Sequence, residues 1–316
     1  MNGIPRAMGP ITSRFFSVVW LTFTCVLFGL SLICLGNFRW PPFYFVDIFT
    51  IPLLTAACLG CVVSLVARQT RAFMLTAAAA IVLAWSSLPQ INPPQAHPAP
   101  GGQTLRLVFA NLWMDNPTPA RLLPWIHDNN PDIVIIVETN AKARNDLLPS
   151  IRATRPYFYS RFDTIIASRW PLRNGHPIHL GFALNQVTVD TPEGPFDLVV
   201  VHLHRPWPYS KASVHPTQFK ALARALASVT PRRCVMVGDF NSPPLASGMQ
   251  DFVKFSGMHT APALWGTWNS KFPGLLRLNI DNALASPDFV FTQRKVGPFN
   301  GSDHRPIALT VRSTSP

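Results

Sequence analysis

The sequence predicts three N-terminal transmembrane helices followed by an α/β (α+β) domain, in which mixed β-sheets pack face to face with helices outside. Three observations carry this prediction. The first hundred residues contain three long apolar runs, charge is concentrated beyond them, and the remainder strings together many short β-branched runs with few helical stretches.

The 316 residues carry 27 Lys and Arg against 15 Asp and Glu, a net charge of +12. Residues 1–100 hold five Arg and one Asp, so nearly all of the charge lies in residues 101–316. A basic soluble part suits an anionic partner such as a nucleic acid, a phosphate ester or a lipid headgroup, and serves solubility equally well. Of the five cysteines only Cys234 lies in the polar part, which excludes a disulfide framework within that domain. Cys58 and Cys61 form a CxxC among apolar neighbours, a pattern that fits small membrane residues better than a metal site.

The apolar runs at 15–36, 48–67 and 72–88 are each about long enough to cross a hydrocarbon core of ~30 Å. A cleaved signal peptide explains at most the first of them. Arg6 and Arg14 before the first run, and Arg68 and Arg71 between the second and third, place these ends in the cytoplasm, whereas Arg39 in the first link is balanced by Asp47. Three crossings then leave the rest of the chain outside. The expected organisation is a multi-pass inner-membrane anchor at 1–88, a Pro/Gly-rich linker at 89–104, and an extracytoplasmic, periplasmic domain at 105–316. Five prolines before Gly101 and Gly102 make the linker a stiff tether that holds the domain near the outer membrane surface.

Within that domain, residues 105–110 read as a strand with Asn111 at its tip, and 118–130 as a short helix despite Pro124. Residues 132–137 form an almost pure strand run closed by Glu138. Further strands are expected at 165–168, 183–189 and 196–201, the last running into His202, His204, Arg205 and Trp207. Residues 216–227 and 245–255 have helical spacing. Between them, the run from Cys234 stops at Gly238-Asp239-Phe240-Asn241. Continued alternation aims Asp239 and Asn241 the same way with Phe240 in the packing. The alternative is an Asx-turn, in which both side chains bond nearby backbone. A strand over 278–286 carries Asp281 in its middle, where a carboxylate requires a buried partner, and Ser302-Asp303-His304 precedes a last strand at 307–311. Asn300-Gly301-Ser302 also fits a glycosylation acceptor. Glu138, with Asn111 beside it, offers hard oxygen ligands suited to Mg2+, Mn2+ or Ca2+, and no Cys or His cluster suggests zinc.

The ordered set Asn111, Glu138, His202, Gly238-Asp239-Phe240-Asn241, Asp281 and Ser302-Asp303-His304 resembles the endonuclease/exonuclease/phosphatase superfamily, the group that includes DNase I, exonuclease III and neutral sphingomyelinases, in a membrane-tethered bacterial form. The resemblance implies a four-layer α-β-β-α sandwich of two mixed β-sheets and metal-dependent hydrolysis of a phosphate ester. It implies Asp239 as general base, Asn241 orienting the phosphate or the attacking water, His304 held by Asp281, and His202 donating to a phosphate oxygen. Asp303 would bind or support the metal alongside Glu138 and Asn111. Two positions depart from the pattern: Asn282 stands where membrane-tethered members carry a histidine, and Phe162-Asp163-Thr164 replaces a glycine-rich lead.

The function expected is a membrane-anchored phosphodiesterase or phosphatase. Arg205, Trp207 and Tyr209 beside His202 are suited to gripping a phosphate and stacking on a base, which favours nucleic acid. The short tether and the aromatic stretch 265–278 favour a phospholipid headgroup. A catalytically inactive phosphate- or nucleic-acid-binding membrane module is the alternative from a different class.

Overall fold

The computed structural model describes residues 10–36, 43, 45–178, 180–206, 214–228 and 233–314. Three apolar helices come first: α1 (Pro10–Gly36), α2 (Thr50–Val66) and α3 (Thr70–Ile91). The spans Arg14–Gly36, Val46–Val66, which adds a 3-10 turn to the start of α2, and Thr70–Ile91 are long and apolar enough to cross a membrane. Arg6 and Arg39 lie outside the described residues. Helix α3 continues past Pro89 to Ile91, shortening the predicted linker. The linker is laid against the domain rather than held away from it. The Gln95 side chain donates to the Phe291 carbonyl and accepts from its amide, both at 3.0 Å, and Ala99 N donates to the Ser313 carbonyl at 3.0 Å.

The remainder builds two six-stranded mixed sheets. The first contains β1 (Thr104–Asn111), β2 (Ile133–Val137), β3 (Tyr157–Arg161), β4 (Thr164–Ser168), β11 (Phe289–Val296) and β12 (Ile307–Ser313), in the order β11-β12-β1-β2-β4-β3. The second contains β5 (Leu172–Pro177), β6 (Ala183–Thr191), β7 (Gly194–His202), β8 (Cys234–Asp239), β9 (His259–Thr260) and β10 (Asp281–Ala285), in the order β5-β6-β7-β8-β10-β9. Alternate residues of the central strands fill the space between the sheets, among them Phe109, Ile135, Leu198 and Val237. Their opposite faces are also buried. Val108, Val134 and Ile136 meet α4 (Leu123–Asn129) and α5 (Ala141–Arg152), while Val199, Val201 and Met236 meet α6 (Val214–Ser228) and α7 (Ser247–Ser256). Burial on both faces explains why these strands read as continuous apolar runs, and it yields the four layers expected. Pro124 is accommodated in the first turn of α4, where its missing N–H costs nothing.

The topology decides where polar strand ends go. Each sheet has one parallel pair, β1 with β2 and β7 with β8, so Asn111, the residue after Val137, His202 and Asp239 all emerge at one edge. The neighbouring antiparallel strands begin where these end: Asp281 pairs with Asp239, and Ile307 pairs with Phe109. The strand expected over 278–286 begins only at Asp281, because Leu278 pairs instead with Trp268 of the preceding loop. Asp281 is therefore a strand start. Gly238 has a specific reason: a Cβ there would lie 1.8 Å from the Val201 carbonyl oxygen of β7.

The two parts are in contact. Ala263 N donates to the Gln90 carbonyl at 2.8 Å, and Gln90 Nε2 donates to the Ala263 carbonyl at 2.6 Å. Pro243, close after Asp239, lines a small cavity with Asp47, Ile51 and Gln90 from the helical part.

Candidate active site

Asp239 sits at the centre of the shared edge. Its Oδ1 accepts the Asn241 amide at 2.8 Å, and its Oδ2 accepts Asn111 Nδ2 at 3.1 Å. The same Oδ2 lies 3.8 Å from His304 Nε2 and 4.0 Å from His202 Nε2. Asp239 itself does both, since one oxygen makes an Asx-turn and the other faces the cleft. The alternation expected of Asn241 does not continue. The strand ends at Asp239, Asn241 has a φ of +48°, and its Nδ2 donates to the Leu203 carbonyl at 2.8 Å.

Glu138 leaves β2 in the left-handed region, with a φ of +55°. Its Oε1 accepts Asn111 Nδ2 at 2.8 Å and lies 3.4 Å from His202 Nε2. His304 Nδ1 hydrogen-bonds Asp281 Oδ2 at 2.9 Å, the buried partner required of that carboxylate. Asp303 stands beside His304, with Oδ1 3.9 Å from Nε2, while its Oδ2 accepts the Trp268 indole N–H at 2.9 Å. Ser302 ties the segment down: its hydroxyl donates to the Asn111 carbonyl and accepts the His304 amide.

Electrostatics divide the roles. Burial and the nearby Asp281 carboxylate push the Asp239 carboxyl up to about 6, against the pull of His304 and His202. Burial pulls the His304 imidazole down, yet the charge and hydrogen bond of Asp281, with Asp239 and Asp303, raise it to about 10. For His202 burial is likewise outweighed by Asp163, Asp239 and Glu138, and its basicity is raised.

Of the residues read from sequence, Asn111, Glu138, His202, Asp239, Asn241, Asp281, Asp303 and His304 converge on this edge. Arg205 follows three residues behind His202. Trp207 and Tyr209 lie outside the described residues. His204 is exposed, with its amide donating to Gln218 Oε1 at 2.8 Å. Asn300 is buried, so the glycosylation pattern there is inaccessible.

Sequence reasoning missed two residues. Asp163, in the turn between β3 and β4 where a glycine-rich lead was absent, places its Oδ2 3.7 Å from His202 Nδ1. His202 in turn holds the Asp163 carboxyl below its ordinary value, against burial. The departure from the pattern was the available signal. Arg294 of β11 reaches across from the other sheet and donates to the carbonyls of Trp265 and Asp281 and to Asn279 Oδ1, at 3.0–3.1 Å. Nothing local marks it. At the other departure, Asn282 Nδ2 donates to the Ser242 carbonyl at 2.7 Å, tying the GDFN turn to β10.

The donor chemistry fits a hard divalent cation. Among the described residues, Glu138, His202 and Asp239 form one group whose ligand atoms lie within 4.8 Å of one another, and Asp239, Asp281 and His304 form another. Asp303 Oδ1 and Asp281 Oδ1 are buried with no hydrogen-bond partner. Asn111 turns its amide nitrogen to Glu138 and Asp239, with Oδ1 accepting the Trp113 amide, so ligation through oxygen requires the carboxamide to turn over.

Residues 108–304 match the Endonuclease/Exonuclease/phosphatase family. The chain belongs to that family. No curated protein matches it in sequence. Solved structures of the same fold include Danio rerio TDP2 complexed with single-strand DNA product, at 16% identity and a TM-score of 0.55, covering 66% of this chain and 99% of that one. A Staphylococcus aureus beta toxin mutant with bound magnesium ions aligns at 16% identity and a TM-score of 0.53, covering 67% of this chain and 100% of the toxin. Sphingomyelinase C from Streptomyces griseocarneus aligns at 14% and 0.51, covering 66% and 99%. At these identities the likeness to these structures is one of fold alone.

Proposed function

We propose that the chain is a membrane-anchored, divalent-metal-dependent hydrolase of phosphate esters, a phosphodiesterase acting by attack of water on phosphorus. The convergence on Asp239 Oδ2 of Asn111, His202 and His304, with Glu138 alongside, supports this reading above all. Glu138, with Asn111 and Asp303, would hold a cation of the magnesium class, which when bound polarises the phosphoryl oxygen and neutralises the leaving group. Asp239, ionised above about pH 6, takes the proton of the attacking water. His304, kept protonated by Asp281, donates to a phosphate oxygen and steadies the charge that builds there. His202 donates to a second oxygen. Asn241 completes the turn that orients the water, and Arg205, Trp207 and Tyr209 grip the substrate. The three apolar helices anchor the chain, with the N-terminus and the turn at Arg68 on the cytoplasmic side and the domain outside.

The test uses the full chain in non-ionic detergent with bis(p-nitrophenyl) phosphate. Hydrolysis is expected with Mg2+ or Mn2+, is expected to vanish on chelation, and falls by about 10²–10⁴-fold in Asp239→Asn. A chain inert with Mg2+, Mn2+ and Ca2+, or a variant as active as the parent, overturns the enzyme reading and leaves the phosphate-binding module. A reporter fused after Pro316 is expected to be active only outside the cytoplasm.

A further inference from the structure

The loop between β9 and β10 belongs both to the site and to the membrane-facing helices. On the site side, Trp268 donates its indole N–H to Asp303, Arg305 N donates to the Thr267 carbonyl at 3.1 Å, and Thr267 Oγ1 lies 3.4 Å from Asp281 N. On the helix side, a short 3-10 turn at Gly274–Leu276 packs on α2, with the Leu275 carbonyl 3.4 Å from Thr55 Oγ1.

The contact lies in the outer half of the second apolar span. Thr55 is nine residues inside Val46–Val66, which runs inward from the outer side in the topology proposed above. A turn touching Thr55 therefore lies on the side of the domain that faces the membrane. Trp85, six residues before the end of α3 and 68% exposed, lies toward the same end, as tryptophans at membrane interfaces do.

The loop is dressed for that position. Trp265, Phe272 and Leu276 are 52%, 56% and 41% exposed, and Lys271 next to Phe272 is exposed as well. Covering these apolar groups in an interface is stabilising, with the cation among anionic headgroups.

Resting on the hydrolase reading above, the geometry points to a phosphodiester of the outer-leaflet lipid as substrate, with the loop 264–278 as the lip over which it leaves the bilayer for the cleft. One water is consumed, a new P–O bond forms as one P–O ester bond breaks, and the water's proton ends on the departing alcohol. The products are a phosphomonoester and an alcohol.

The experiment compares four probes on the full chain with Mg2+: bis(p-nitrophenyl) phosphate, single-stranded DNA, and detergent mixed micelles of phosphatidylglycerol or of sphingomyelin. Hydrolysis of a micellar lipid is expected, with a rate that falls as the lipid is diluted by detergent at constant bulk concentration. In Phe272→Ser/Leu276→Ser the ratio of micellar to soluble rate is expected to fall at least tenfold. In bilayer nanodiscs, brominated phospholipid is expected to quench a component of tryptophan emission that Trp265→Phe lacks. Hydrolysis of the soluble diester with both lipids untouched, a preference for DNA, an unchanged ratio in the double variant, or equal quenching in the two proteins each overturns the lipid substrate while leaving the hydrolase reading intact. Inactivity on all four probes sinks the hydrolase reading itself, and the lipid substrate with it.

Discussion

The two walls of the cleft each present a histidine with a carboxylate behind it, and they differ in burial. His304 and Asp281 are both buried and meet at 2.9 Å, whereas His202 and Asp163 are partly exposed and stand 3.7 Å apart. A third histidine acts as a control. His215 is buried and meets the Phe240 backbone carbonyl at 3.0 Å, and burial pulls it down to about 4. Burial against a backbone carbonyl thus lowers an imidazole, and burial with a carboxylate at hydrogen-bond distance raises it. The deep pair is built to hold a proton. The outer pair lies where solvent weakens the same attraction.

The largest expected effect comes from taking the carboxylate from each histidine in turn. Asp281→Asn leaves His304 buried without its counter-charge, and kcat is expected to fall by about 10²–10³-fold, within the range of a lost oxyanion donor. Asp163→Asn is expected to cost less than about tenfold, because water can replace a partner at the rim. Steady-state kinetics on a soluble phosphodiester reads both, and equal losses would erase the distinction between the walls.

A pH profile sharpens the same contrast. Activity is expected to rise through about pH 6 as Asp239 ionises and to fall near pH 10 as His304 loses its proton. Asp281→Asn should move the basic limb down toward the ordinary histidine range, while Asp163→Asn should leave it in place. A basic limb unmoved by Asp281→Asn would show that His304 does not set it.

A last contrast concerns stability and the control histidine. Because the folded-state value of His215 lies below its ordinary value of 6.5, the unfolded chain binds the proton first as pH falls. The contribution of His215 is therefore fully present above about pH 6.5 and is lost as pH falls toward 4, with a magnitude of roughly 3 kcal/mol. Unfolding of the detergent-solubilised chain between pH 7 and 4 should show this slope, and His215→Gln should flatten it.

Much of the domain was legible because its signals are local. Strands buried on both faces announce themselves as apolar runs, and each run from β1, β2, β7 and β8 is closed by a polar residue that later proves to be at the site. The elements that escaped were those without such runs. β3 and β5 are largely exposed, β11 is buried only over its first three residues, and α5 is a short, polar amphipathic helix. Asp163 and Arg294 escaped for a deeper reason, since each acts on a residue of the opposite sheet.

By itself, then, the sequence determined the three apolar spans, the strand ends and the residue types that suit phosphate chemistry. These follow from hydropathy and from an alternation of period two, which are properties of neighbouring residues. Only the tertiary structure decided that Asp239 divides its oxygens between a turn and the cleft, that His304 meets Asp281 in the interior, and that the loop beside Asp303 rests on α2. Those depend on distances between segments far apart in the chain and on how much water lies between them.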